Sequence, residues 1–156
     1  ILAPRHLGRV PEVLELAGAA AKPVSSYGSI FTGSEVAVLD ILGQLNQLYA
    51  LSTIALVGGS FLPELTGHNP LEPAAVSRPI IFGPYMSSFQ LEADDLLKAG
   101  AAVESRPEQL SRHLKTWLTQ PSAAKEGGLK ARSILAARPP AAPALARIIL
   151  KLAGHA

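Results

Sequence analysis

Cysteine is absent from these 156 residues, which by arithmetic excludes disulfides, thiolate nucleophiles and Cys-based zinc sites. No apolar run approaches the ~18 to 20 residues that a membrane-crossing helix needs; Gly or charged residues interrupt each one. Charge of either sign is scarce in excess: 14 Lys and Arg face 12 Asp and Glu. The basic residues are scattered without interleaved aromatics, so nucleic acid is a poor partner. Neither G-x-G-x-x-G nor a G-x-x-x-x-G-K-S/T loop follows any apolar run, which removes the usual support for dinucleotide cofactors and nucleoside triphosphates. Ser60, in Val57-Gly58-Gly59-Ser60-Phe61, lacks the trailing glycine of a nucleophile elbow, against a serine hydrolase. His6 and His68 stand far apart with no carboxylate or His at ligand spacing, so a metal site is discounted. The first residues, Ile1-Leu2-Ala3-Pro4-Arg5-His6, read as a strand entering a turn and not as a signal peptide. On that reading the chain begins inside a domain.

What is present argues for a packed core. Hydrophobic residues make up 48% and charged ones 17%, which excludes a disordered chain, and the length suits one compact domain. Short apolar runs at Val36-Ala37-Val38-Leu39, Ile54-Ala55-Leu56-Val57 and Pro79-Ile80-Ile81-Phe82 are each followed by Gly, Asp or Pro and then by helical spacing. Ala102-Val103-Glu104 adds a short edge strand after Ala99-Gly100-Ala101. This alternation predicts an α/β fold, a Rossmann-like parallel sheet with helices on both faces. The helical stretches carry Val10, Val13, Leu14 and Ala17; Leu45, Leu48 and Tyr49; Phe89, Ala93, Leu96 and Leu97; and, after Pro107, Leu110, Leu114, Trp117 and Leu118. A further helix is expected from about Ser122 to Ala137, its first half frayed by Gly127-Gly128. Pro139-Pro140 then forms a stop or linker before an amphipathic helix bearing Leu145, Ile148, Ile149 and Leu152. The division that follows is a domain over 1–138 and a Pro-rich linker with a C-terminal helix over 139–156. Arg147, Lys151 and His155 beside that helix's apolar stripe fit either an anionic membrane surface or packing on protein.

Ligands of open parallel sheets collect beyond the carboxyl ends of the strands. The loops there hold Gly58-Gly59-Ser60 and then Gly67-His68-Asn69-Pro70-Leu71-Glu72-Pro73. Glycines permit close backbone approach to an anion, Asn69 can cap a helix opening near Pro70, and Glu72 in its first turn can accept both hydroxyls of a ribose. The alternative is equally open: a tight turn, an N-cap and a carboxylate that offsets the helix dipole. Arg5 can reach a phosphate from the same edge or stand solvated.

Together these residues resemble the C-terminal half of bacterial 3-deoxy-D-manno-octulosonic acid (Kdo) transferases. The resemblance runs through Ala3-Pro4-Arg5-His6 with Val10-Pro11-Glu12, Asp40-Ile41-Leu42-Gly43-Gln44-Leu45 with Leu48-Tyr49, and Val57-Gly58-Gly59-Ser60-Phe61. It continues through Gly67-His68-Asn69-Pro70-Leu71-Glu72-Pro73-Ala74-Ala75, Arg78-Pro79-Ile80-Ile81-Phe82-Gly83-Pro84 and Phe89. Residues 1–102 carry it well and the remainder loosely. It implies the C-terminal domain of a two-domain, GT-B type glycosyltransferase that binds the CMP of the donor CMP-Kdo, with no cofactor, and passes Kdo to a lipid A precursor at the cytoplasmic face of the inner membrane. It further implies that Pro4 and Arg5 approach the phosphate and that Gly43, Gln44 and Leu45 contact the nucleotide. Asn69, Pro70, Leu71 and Glu72 would hold phosphate and ribose, with Gly58, Gly59, Ser60 and His68 as the supporting loop. Gln44 departs from the Glu of many members, and the Pro- and Ala-rich tail after Arg138 departs from a more polar helix. The catalytic carboxylate, acceptor surface and membrane-proximal patch are expected in an N-terminal domain outside these residues, and the strand normally central in such a sheet is expected to be missing before Ile1. Two other readings stand beside it: a UDP-sugar glycosyltransferase, separable by nucleotide choice, and a non-catalytic binding module, separable by complementation.

Overall fold

The computed structural model describes residues 1–26, 36–139 and 141–154. Pro140 and His155, invoked above, lie outside them. The chain divides into two compact units, Ile1–Leu51 and Ser52–Ala156, and the boundary falls inside the stretch 1–138 expected as one domain.

In the first unit, helix α1 (Val10–Ala17) carries a proline in its first turn, where a missing N–H removes no helical bond. An Arg9–Glu12 ion pair of 2.7 Å flanks its start. Gly18, at φ 82°, ends it in backbone that only glycine adopts freely. Strand β1 (Ala21–Pro23) and strand β2 (Val36–Val38) pair in parallel, Ala21 opposite Val36, and helix α2 (Leu45–Leu51) follows. Val10, Ala37, Val38, Leu39 and Leu48 are buried. The strand expected at Ile1 is a single parallel bridge from Leu2 to Val38. Leu2 donates to the Ala37 carbonyl at 2.7 Å and accepts from the Leu39 amide at 2.8 Å, and Pro4, lacking an N–H, cannot extend the ladder. Strand β1 was not expected: Ala21-Lys22-Pro23 offers no β-branched residue and ends on a proline, which strands disfavour.

The second unit is a three-stranded parallel sheet in the order β3 (Ala55–Val57), β4 (Ile80–Phe82), β5 (Ala102–Glu104), close to the expected runs. Ile80, Ile81 and Phe82 of the central strand are all fully buried. Successive side chains point to opposite faces, so both faces of β4 are covered, and each such residue is worth about 1.5–3 kcal/mol of burial. Helices α3 (Leu71–Ala75), α4 (Gln90–Lys98) and α6 (Pro121–Ala137) supply Ala74, Ala93, Leu96 and Ala131 to this core. Helix α5 (Pro107–Thr119) opens on Pro107 as expected, and helix α7 (Ala141–Leu152) closes the described chain. The parallel α/β fold read from the sequence is thus the fold observed.

The expected fraying of α6 is corrected: it is continuous from Pro121 to Ala137. Gly127 and Gly128 are buried, and a Cβ on Gly128 would collide with the Ser77 carbonyl oxygen. Gly128 lets α6 approach the turn that ends α3, so close packing outweighs its poor helix propensity. Arg138 leaves the helix in extended backbone, as a residue before proline prefers, and binds Glu92 at 2.8 Å and Asp95 at 2.9 Å on α4.

Candidate functional site at the carboxyl edges of the strands

Because every pairing is parallel, all loops that follow strands within one unit leave at one edge of its sheet. In the first unit those loops are 3–6, after the Leu2 bridge, 24–26, after β1, and 39–44, after β2. Pro4 is half-buried and Arg5 exposed. The loop after β2 turns through Gly43 at φ 80°, a left-handed conformation costly for any residue with a Cβ. The Gln44 carbonyl then accepts from the Leu48 amide at 3.1 Å, which starts α2 with Leu45. Gly43, Gln44 and Leu45, grouped by the resemblance as nucleotide contacts, stand at one loop-to-helix junction. The sequence pattern did not reveal the group that anchors the loop: both carboxylate oxygens of Asp40 accept from Ser25, one from its amide at 2.9 Å and one from its hydroxyl. Those bonds, the hydroxyl's first, hold the Asp40 carboxyl below the usual carboxylate range.

In the second unit, β3 passes into a short 3-10 turn, Gly58–Phe61. Ser60 is fully buried. Its hydroxyl donates to the Val57 carbonyl and accepts from the Gly83 amide at 2.6 Å, while its own carbonyl accepts from the Tyr85 amide at 3.0 Å. One serine therefore joins the carboxyl ends of β3 and β4, a role consistent with the missing nucleophile elbow. A Cβ on Gly59 would occupy the place of the His68 ring, and one on Gly83 would strike the Ser60 carbonyl. Gly58, by contrast, is exposed with open space where a Cβ would stand. The expected supporting loop thus splits: Gly59 and His68 pack together, Ser60 reaches Gly83, and Gly58 lies outside.

Helix α3 begins at Leu71, one residue later than expected, with buried Pro70 at its N-cap. Asn69 still satisfies an amide of the first turn, its Oδ1 accepting from Leu71 N–H at 3.0 Å. Glu72 lies in that first turn and is half-buried. Asn69, Pro70, Leu71 and Glu72 therefore stand together at the carboxyl edge of the second sheet, where the positive end of α3 and the Glu72 carboxylate can meet phosphate and hydroxyl groups. Among the described residues no group of three or more His, Asp or Glu is placed to hold a metal ion, and no helix is long and apolar enough to cross a membrane.

No model of a known protein family matches the sequence. Individual proteins do. The chain is 39% identical over 102 residues to a 3-deoxy-D-manno-octulosonic acid transferase of Chlamydia pneumoniae, which covers 64% of this chain and 23% of that protein. It is also 39% identical over 110 residues to the transferase of the same description from Bordetella pertussis, 67% of this chain and 25% of that one. The chain spans about a quarter of the length of these relatives. Among solved structures it resembles the C-terminal CMP-Kdo binding domain of WaaA from Acinetobacter baumannii, with a TM-score of 0.77 and 30% identity over 85% of this chain and 70% of that one.

Proposed function

The chain belongs to the Kdo transferase family, and on that premise we propose that it binds the CMP portion of CMP-Kdo, as the donor-holding part of an enzyme that transfers Kdo to a lipid A precursor. The setting proposed for that reaction is the cytoplasmic face of a bacterial inner membrane. The observation that carries the reading is the likeness, in fold and sequence together, to a solved CMP-Kdo binding domain.

The site residues take the following proposed roles. In the first unit, Pro4 shapes the turn that presents Arg5, and the Arg5 guanidinium meets the phosphate, a planar donor fork suited to an oxyanion. Negative charge grows on that phosphate as the bond to the sugar breaks, so a cation held there favours departure of CMP. Gly43, Gln44 and Leu45 contact the nucleotide chiefly through main chain, which is why Gln44 can serve where many members carry Glu. In the second unit, Asn69, Pro70 and Leu71 present the start of α3 to phosphate, and Glu72 accepts the ribose hydroxyls. Gly59, Ser60 and His68 support these loops from beneath. The donor is a substrate, and no cofactor is invoked.

Chemical-shift mapping with CMP tests this assignment directly. Amide resonances of Arg5, Gly43 to Leu45, Asn69, Leu71 and Glu72 are expected to move on titration. Saturable shifts confined to other surfaces, or none at millimolar CMP, would contradict it.

A further inference from the structure

The loop that carries Gly43, Gln44 and Leu45 is fixed at three points. Its entry is held by the Leu39 amide on the Leu2 carbonyl at 2.8 Å, and its exit by the Leu48 amide on the Gln44 carbonyl at 3.1 Å. Directly after the entry stands Asp40, whose two oxygens are both turned to Ser25 on the neighbouring loop. Ser25 is itself on a firm support, a 3-10 turn in which the Ser26 hydroxyl donates to the Pro23 carbonyl at 2.7 Å. A carboxylate accepting an amide and a hydroxyl from one residue makes a directional clamp between two loops that leave adjacent parallel strands.

Resting on the nucleotide-binding reading above, we propose that Asp40 is a positioning residue: it ties Ser25 to the turn bearing Gly43, Gln44 and Leu45 and so pre-forms the seat of the nucleotide in the first unit. Both oxygens face Ser25, and in the proposed role Asp40 acts through the loop and not on the ligand. A seat formed before binding spares the ligand the cost of ordering the loop around a left-handed glycine.

Three variants separate this role from a direct one. Ser25→Ala keeps the amide and loses the hydroxyl, so CMP affinity by calorimetric titration is expected to fall about three- to tenfold. Asp40→Ala loses both bonds and is expected to cost about tenfold or more. Asp40→Asn is expected to recover most of that loss, since its amide oxygen can accept from Ser25 N–H while its NH2 donates to Ser25 Oγ. In the ligand-free protein, backbone amides of residues 41–44 are expected to exchange with deuterium faster in Asp40→Ala than in the parent, well below the melting temperature of either. Unchanged affinity in Ser25→Ala together with a loss in Asp40→Asn as large as in Asp40→Ala would overturn the proposal and assign the Asp40 charge to the ligand. Unchanged exchange in Asp40→Ala would overturn it as well. A parent that binds no CMP would overturn the donor reading, and the exchange rates alone would then decide whether the clamp holds the loop.

Discussion

At the scale of residues, Glu72 carries the sharpest consequence. A carboxylate in the first turn of α3 can offset the helix N-terminal charge, worth about 0.3–1 kcal/mol, or accept the two hydroxyls of a ribose. Glu72→Gln keeps the size and removes the charge. If the ribose role is right, CMP affinity is expected to fall about tenfold or more while the melting temperature moves only a few degrees; a small loss of stability with unchanged affinity would assign Glu72 to the helix alone. Arg5→Ala is expected to weaken CMP by about 1–3 kcal/mol and leave cytidine nearly unaffected, and an equal loss for both ligands would remove Arg5 from the phosphate. Asp40 and Glu92 are two of the carboxyls that contribute stability lost in acid. Ser25 holds Asp40 below its ordinary 3.8, and the Arg138 side chain holds Glu92 below its ordinary 4.5. A depressed folded-state value contributes stability above the ordinary range and loses it as pH falls through the folded value. Melting temperature is therefore expected to drop between about pH 5 and about pH 3, with a shallower drop in Asp40→Asn and in Glu92→Gln. Equal slopes in parent and variants would show that neither carboxyl contributes. Asn69 and Glu72 were legible from spacing because a cap and a first-turn acid have fixed positions in a helix. Asp40 was not, since its partner lies on another loop and no periodic signal joins them.

At the scale of elements, the strands β2 to β4 were readable because each is a short apolar or β-branched run closed by Gly or Asp, and β5 because it follows the helix end at Ala99-Gly100-Ala101. Strand β1 was not, with Lys22 and Pro23 in three residues. Helix α6 shows propensity losing to packing, and its two adjacent glycines allow that statement to be tested. A Cβ on Gly127 would meet its nearest atoms at 3.8 Å, an ordinary contact, whereas one on Gly128 would collide with the backbone of Ser77, a residue itself in left-handed conformation at φ 58°. Gly127→Ala is expected to be neutral or to stabilise by up to about 1 kcal/mol through helix propensity. Gly128→Ala is expected to destabilise by about 1–3 kcal/mol or more through overpacking. Denaturant midpoints that place both variants on the same side of the parent would contradict the assignment of Gly128, and not Gly127, to the contact with α3.

At the scale of the whole molecule, two parallel sheets each present loops from their carboxyl edges, and the residues that resemble a nucleotide-sugar site fall on those edges in both units. Composition and periodicity reached the fold class. They could not choose the nucleotide, because a helix-borne Glu and a loop Arg suit any ribose phosphate, and the division at Leu51 and Ser52 has no Pro- or Gly-rich stretch to mark it. The central claim is recognition of a cytidine nucleotide, and a thermal-shift titration with CMP and UMP at equal concentrations tests it most directly. Ligand bound only to the folded state adds RT ln(1 + [L]/Kd), about 1.4 kcal/mol for millimolar ligand against a Kd of ~0.1 mM. CMP is expected to raise the melting temperature by several degrees and UMP by clearly less; equal shifts for the two nucleotides, or none for either, would contradict it.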